Sequence, residues 1–233
     1  DISRLDSDGA KLDISAMRDK NNEVTIDEST AIGGKDADGR ITGTDWVIRN
    51  AQADSRIAAN VDLRLANLTA DGGDLTVRSR IGKLDVTGTL AQSGGKLNVE
   101  LAGTATIGTL DLKSGADFAL GALSKSGAAL TKNDDDELAT YGGALKLGAW
   151  KMDGATAAIR TWGGVTVDKT ADLKNSSVTL RALAGGLSNT DSADGASRFN
   201  ITGGKFDAKL AGSANIDHLA ASGNANVRIS GSA

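Results

Sequence analysis

Gly72-Gly73-Asp74-Leu75-Thr76-Val77 returns as Gly94-Gly95-Lys96-Leu97-Asn98-Val99, and again as Gly142-Gly143-Ala144-Leu145-Lys146-Leu147. Looser copies stand at Gly163-Gly164-Val165-Thr166-Val167 and Gly203-Gly204-Lys205-Phe206. Each copy is a double glycine followed by apolar residues in alternation, the pattern of a tight turn feeding a half-buried strand. The leading apolar residues fall at positions 75, 97, 118, 145, 165, 187, 206 and 227, with one long gap from 118 to 145. The period is about 21 residues, within the range of solenoid repeats. The excess of about six positions in the long gap is assigned to Asn133-Asp134-Asp135-Asp136-Glu137. That polar run cannot face a core, so it reads as a loop insertion near 132–138.

Working outward, Asp8-Gly9-Ala10-Lys11-Leu12-Asp13-Ile14 has the same shape, and Leu12 falls where three such periods counted back from Leu75 would place it. Within a unit, further apolar clusters follow the first, as Ile107 and then Leu110 follow Leu97. Two or three short strands per unit describe one coil of a parallel β-helix, whose coils bury their apolar faces only by stacking. The expectation is therefore an all-β, parallel β-helix of about eleven coils of about 21 residues, a single domain over 1–233. At a ladder spacing of about 4.8 Å it would be roughly 50 Å long. An antiparallel sandwich or barrel fits less well, because the units match one another and two-residue Asn-Gly or Asp-Gly hairpin turns are few. Helices fit worst: in the Ala-rich piece 115–130, Gly115, Gly121 and Gly127 would each cost about 1 kcal/mol.

Composition agrees. The chain has 233 residues, 39% of them hydrophobic but only 3% aromatic, so its core must be built from Ala, Val, Leu and Ile. Proline is absent, as expected where nearly every residue needs its N–H for a strand ladder. Cysteine is absent too, which excludes disulfides, zinc–thiolate sites and a catalytic thiol. The net charge of −4 is mild and interspersed, without the basic footprint of a dedicated nucleic-acid binder. No apolar run approaches the ~18 residues that span a membrane. Without an initiator Met or a signal peptide, the chain reads as a mature protein or an excised fragment of a longer one.

Repeats of this length, with a Gly-Gly-x-Leu-x-Val head and a following Ala/Gly/Ser/Thr-rich strand, resemble the haemagglutinin-type repeats of large bacterial exoproteins. The likeness is to the filamentous haemagglutinin family of two-partner secretion proteins and, more broadly, to autotransporter passenger domains. It covers residues 8–230. The resemblance implies a right-handed β-helical shaft, secreted or displayed on the bacterial cell surface. It further implies a non-enzymatic structural and adhesive role, with an outer-membrane transporter as partner during secretion and host-cell glycans or surface proteins as ligands. No cofactor and no nucleic-acid partner is expected.

Each candidate site stands beside a plainer reading. A β-helix can also carry a polysaccharide lyase or hydrolase acting on an acidic polysaccharide, which needs carboxylates and a Lys or Arg gathered on one face. Asp153, Lys174 and Asp194 fit the coil spacing loosely, as do many triples in a chain that is 24% charged. Asp36-Ala37-Asp38-Gly39-Arg40-Ile41, with Asp45, resembles part of a calcium loop, but Gly34 stands where its first acidic ligand belongs. His218, the only histidine, reads as a surface residue. Trp46, Trp150 and Trp162 are rare aromatics whose commoner role is packing; if exposed, they would stack on sugar rings. Because Trp150 and Trp162 follow the insertion closely, Asn133, Asp134, Asp135, Asp136, Glu137, Trp150 and Trp162 form the expected recognition surface. A threonine-ranked ice-binding face is set aside, since Thr-x-Thr stands only at Thr42-Gly43-Thr44, Thr87-Gly88-Thr89 and Thr104-Ala105-Thr106, too few for regular ranks.

Overall fold

Strand after strand pairs in parallel with the strand one unit further along the chain, so the sheet winds round nearly into a barrel with no helix among the described residues. The computed structural model describes residues 2–18, 24–25, 40–59, 62–79, 82–101, 103–122, 143–190 and 197–231. The strands begin with β1 (Ile2–Asp8), β2 (Asp13–Arg18), β3 (Val24–Thr25), β4 (Ile41–Ala59) and β5 (Leu63–Ser79). Next come β6 (Leu84–Ser93), β7 (Lys96–Leu101), β8 (Ala105–Lys113), β9 (Asp117–Ala122), β10 (Leu145–Asp153) and β11 (Thr156–Thr161). Then follow β12 (Val165–Val167), β13 (Thr170–Lys174), β14 (Ser177–Ala182), β15 (Leu187–Asn189) and β16 (Arg198–Thr202). The last are β17 (Lys205–Leu210), β18 (Ala214–Ile216), β19 (Leu219–Ser222) and β20 (Asn226–Gly231). This pairing is consistent with a β-helix.

Three columns of inward-facing residues make the core. In the first, Ile41, Leu63, Leu84, Ala105, Leu145, Val165, Leu187 and Ala214 stand in register. In the second, Trp46, Leu68, Leu90, Leu110, Trp150, Ala171, Phe199 and Leu219 do so. The third runs through Ser55, Leu75, Leu97, Phe118, Ala157, Val178, Phe206 and Val227. The period of two sends every second residue inward, and all members of the first two columns before the last rung are buried. Bulk is balanced between rungs. Ala171 lies between Trp150 and Phe199, and the two rings close over it edge to face at 6.2 Å. Phe206 joins them, 5.2 Å from Phe199 and 6.3 Å from Trp150.

The register corrects the sequence reading in three places. The double-glycine heads are of two kinds: those at 72, 94 and 203 precede the third column, whereas Gly143 and Gly164 precede the first. The series 75, 97, 118, 145 therefore jumps between columns. Within a column, Ala105 pairs with Leu145 and Phe118 with Ala157, each step taking nearly two rungs' worth of chain. The insertion between β9 and β10 is thus almost as long as a rung itself, far more than the six positions expected. A second excursion is hidden by the same jump. Leu187 pairs with Ala214 and Val178 with Phe206, and both steps are longer than those from Leu145 to Val165 or Ala157 to Val178. Likewise Asp13 pairs with Arg56, about two rungs' worth of chain further on, so Leu12 is not three equal periods from Leu75.

Corners are held by backbone geometry and buried amides. Between the second and third columns the chain turns through the left-handed region, where Gly94 and Gly95 have φ of 67° and 64°. Gln92, buried beneath them, donates through Nε2 to the carbonyls of Gly94, Gly95 and Asp117. The second excursion is clamped at its base. Buried Asn189 donates through Nδ2 to Val167 O and Lys169 O, both at 2.8 Å. The Ser197 hydroxyl lies within hydrogen-bond distance of Asp168 O and Thr190 O.

Outward faces carry ion pairs between rungs: Arg56 meets Asp13 through two bonds of 2.9 and 2.8 Å, and Arg78 Nε donates to Glu100 at 2.6 Å. Both are partly exposed. Arg78→Gln is expected to cost less than about 1 kcal/mol in urea unfolding, since water screens such pairs.

Candidate functional site

A concavity of about 480 Å³ on the outer surface lies beside the second column, where β8, β10 and β13 run side by side. Its floor is set by alternation. Leu112, Met152 and Leu173 point inward, so the residues on either side of each point out. Those neighbours read Asp111-x-Lys113, Lys151-x-Asp153 and Asp172-x-Lys174. Lys151 is in register with Asp111 on one side and Asp172 on the other, and Asp153 is in register with Lys174. The result is a checkerboard in which acid neighbours base along the strands and across them.

Distances describe a loose lattice rather than locked pairs. Lys113 Nζ is 3.9 Å from Asp111 Oδ2, and Lys174 Nζ is 3.8 Å from Asp172 Oδ2. Ser114, Gly154 and Asn175 form the rim, at the corner leading to the third column. Gly154 and Asn175 hold positive φ there, which turns the chain sharply at the groove edge. Chemically the surface offers alternating donors and acceptors spaced by one rung, about 4.8 Å. Such a surface suits a ligand rich in hydroxyl groups. General acid–base chemistry of the two-carboxylate kind needs two carboxylates flanking one bond; here an ammonium separates each carboxylate from the next.

Of the residues singled out from sequence, Asp153 and Lys174 do meet in this groove, whereas Asp194 lies outside the described residues. Asn133, Asp134, Asp135, Asp136 and Glu137 also lie outside them. Trp150 is not a surface residue: it is 0% exposed, packed against Phe199 and Phe206, because its position on β10 falls on the inward phase. Trp46 is equally buried and donates through Nε1 to Ile2 O at 2.8 Å. Trp162 is half-buried in the turn after β11, with its carbonyl accepting from Ala184 N–H. Asp36 and Asp38 lie outside the described residues, and the Asp45 carboxylate accepts from Asn67 Nδ2 at 2.7 Å. Asn67 in turn accepts from Thr89 N–H, so the three residues form a polar ladder down one corner. His218 is exposed near the last rung, where its carbonyl accepts from Phe199 N–H.

Sequence reading misses Asp111, Lys113, Lys151 and Asp172. Their signal is three charge triplets of alternating sense, each around an apolar residue. The insertion after β9 lies between Asp111 and Lys151, so a search at constant coil spacing passes over the first triplet. No protein-family model, no curated protein and no solved structure matches the chain.

Proposed function

We propose that this chain is a non-enzymatic structural and adhesive segment of a secreted bacterial surface exoprotein of the filamentous haemagglutinin kind. In this reading it is a right-handed parallel β-helix that serves as a rigid shaft. Right-handedness follows from the strong preference of parallel crossover connections in one sheet for that hand. The shaft so read has nine described rungs, fewer than the eleven expected from length alone, because insertions take up the difference.

The observation that carries the proposal is the parallel ladder of backbone hydrogen bonds, bearing outward faces of charged and small polar residues in fixed register. A ladder of that kind presents side chains at constant spacing on a stiff support, which adhesion by many weak contacts requires. Host-cell glycans fit the hydroxyl-matching groove on β8, β10 and β13. Beads coated with the chain are expected to bind glycan-bearing cells, with binding reduced severalfold by Lys113→Gln, Lys151→Gln and Lys174→Gln together. Equal binding to cells stripped of surface glycans would refute the reading.

The clustered Asp and Lys of the same groove favour one second reading, a polysaccharide lyase or hydrolase. Incubation with an acidic polysaccharide separates the two: release of shortened chains, lost in Asp153→Asn, would establish the enzyme.

A further inference from the structure

The outward face of the third column changes character halfway along the molecule. On its earlier rungs, cations are answered by carboxylates supplied by the chain itself. Arg56 holds Asp13 and Arg78 holds Glu100 across neighbouring strands. Lys96 stands in register between Asp74 and Asp117.

On β14, β17 and β20 the described cations outnumber the described carboxylates. Arg181 and Lys209 follow one another in register, like charge on like, in the column that Arg78 and Glu100 occupy earlier. Arg228 stands in the column of Arg56, and Lys205 lies at the near end of β17. Beside these four cations, the described outward positions of the three strands hold a single carboxylate, Asp207, 3.4 Å from Arg181 and 3.8 Å from Lys205. The surplus is three positive charges in a chain whose net charge is −4. Like charges placed directly opposite destabilise a sheet, so the arrangement works against the fold that carries it.

We propose that this face binds an extended polyuronate, a glycan bearing a carboxylate on each sugar unit, whose carboxylates take the places that Asp13 and Glu100 fill on the earlier rungs. Guanidinium groups bind planar carboxylates through paired N–H bonds, as Arg56 already does with Asp13. Cations repeated at the rung spacing of about 4.8 Å match a polymer whose charges repeat at the scale of a sugar unit. The remaining outward residues are small: Ser177, Thr179, Asn226 and Ser230. They leave a flat face without the aromatic platforms on which nucleic-acid bases stack. It also lacks the large apolar residues that insert into a lipid interface. This face is separate from the groove on β8, β10 and β13, and the proposal stands if the adhesive reading fails.

The test uses the full chain and polygalacturonate of defined length, with neutral dextran as blank. Binding is expected to polygalacturonate and not to dextran, weakening as salt rises. Lys205→Gln, Lys209→Gln and Arg228→Gln, all at exposed positions, are expected together to weaken it at least roughly tenfold, with an unchanged β-rich circular dichroism spectrum. Lys83→Gln, Lys146→Gln and Lys169→Gln, at exposed positions on neither this face nor the groove, remove the same charge and are expected to leave it within about twofold. Equal losses in both triple variants would reduce the effect to net charge and overturn the proposal. So would full binding by the first variant, or tighter binding to duplex DNA, to a sulfated glucan or to anionic vesicles than to polygalacturonate.

Discussion

Phe199→Ala is expected to lower stability by roughly 4 kcal/mol, the range for truncating a fully buried aromatic residue, and to do so in the C-terminal half of the molecule first. Phe199 is wholly buried and touches both other rings of the aromatic cluster, at 6.2 Å from Trp150 and 5.2 Å from Phe206. Its loss strips one face from each. The neighbouring rung cannot refill the space, because Ala171 in register with it has only a methyl group. The reciprocal change, Ala171→Leu, is expected to cost about 1–3 kcal/mol by overpacking between Trp150 and Phe199. Combined with Phe199→Ala it should cost less than the sum, since the added leucine enters the vacated volume. Urea unfolding followed by Trp150 fluorescence would read all three. Because stacked repeats unfold by local steps as well as globally, hydrogen exchange should locate the loss on β13, β16 and β17. A loss below about 1 kcal/mol would mean that the aromatic cluster does not hold these rungs together.

The second large effect separates two adjacent glycines. Gly94 and Gly95 both hold positive φ, near 67° and 64°. A Cβ on Gly94 would meet only Gly72 atoms, the nearest at 3.9 Å, whereas one on Gly95 would run into the carbonyl oxygen of Gly73 on the rung below. Gly94→Asn is therefore expected to cost no more than about 1 kcal/mol, since asparagine tolerates the left-handed region; the chain places Asn50, Asn175 and Asn224 there itself. Gly95→Ala adds a backbone collision to the conformational penalty and should cost well over about 2 kcal/mol. Thermal unfolding of the two variants side by side tests this. Equal losses would show that φ alone, and not the stacking distance between rungs, demands glycine at the corner.

How far the candidate site can be read in advance depends on which physical constraint each residue obeys. Asp153 and Lys174 are found together because they sit one uninterrupted rung apart, where one period of chain equals one step of the ladder. Asp111 and Lys151 are equally close neighbours in register, but nearly two rungs' worth of chain lies between them, and sequence distance at a constant period then misplaces them. Trp150 misleads for another reason. Rarity makes it conspicuous, but the alternation set by buried Leu145 and Leu147 slips by one residue at Gly148 and Ala149, and the new phase turns Trp150 and Met152 inward.

The basic face of β14, β17 and β20 is invisible at the level of composition, since a mild net charge of −4 averages over it. Only register reveals that Arg181 and Lys209 are neighbours, since the interval between them contains the hidden excursion. The paired Arg78 and Glu100, with an unbroken coil between them, are easier to place from sequence.

By itself, then, the sequence determined the strand period, the parallel stacking of like units and the all-β class. Those follow from local rules: alternation fixes which residues are buried, glycine fixes where the chain can turn, and the lack of proline keeps every ladder N–H available. The tertiary structure alone decided which column each repeat head feeds, how long the insertions are, and which charges stand together on the surface. Register is a property of two strands, set where their buried side chains fit one another, and a one-dimensional count cannot fix it once a loop of unknown length lies between them.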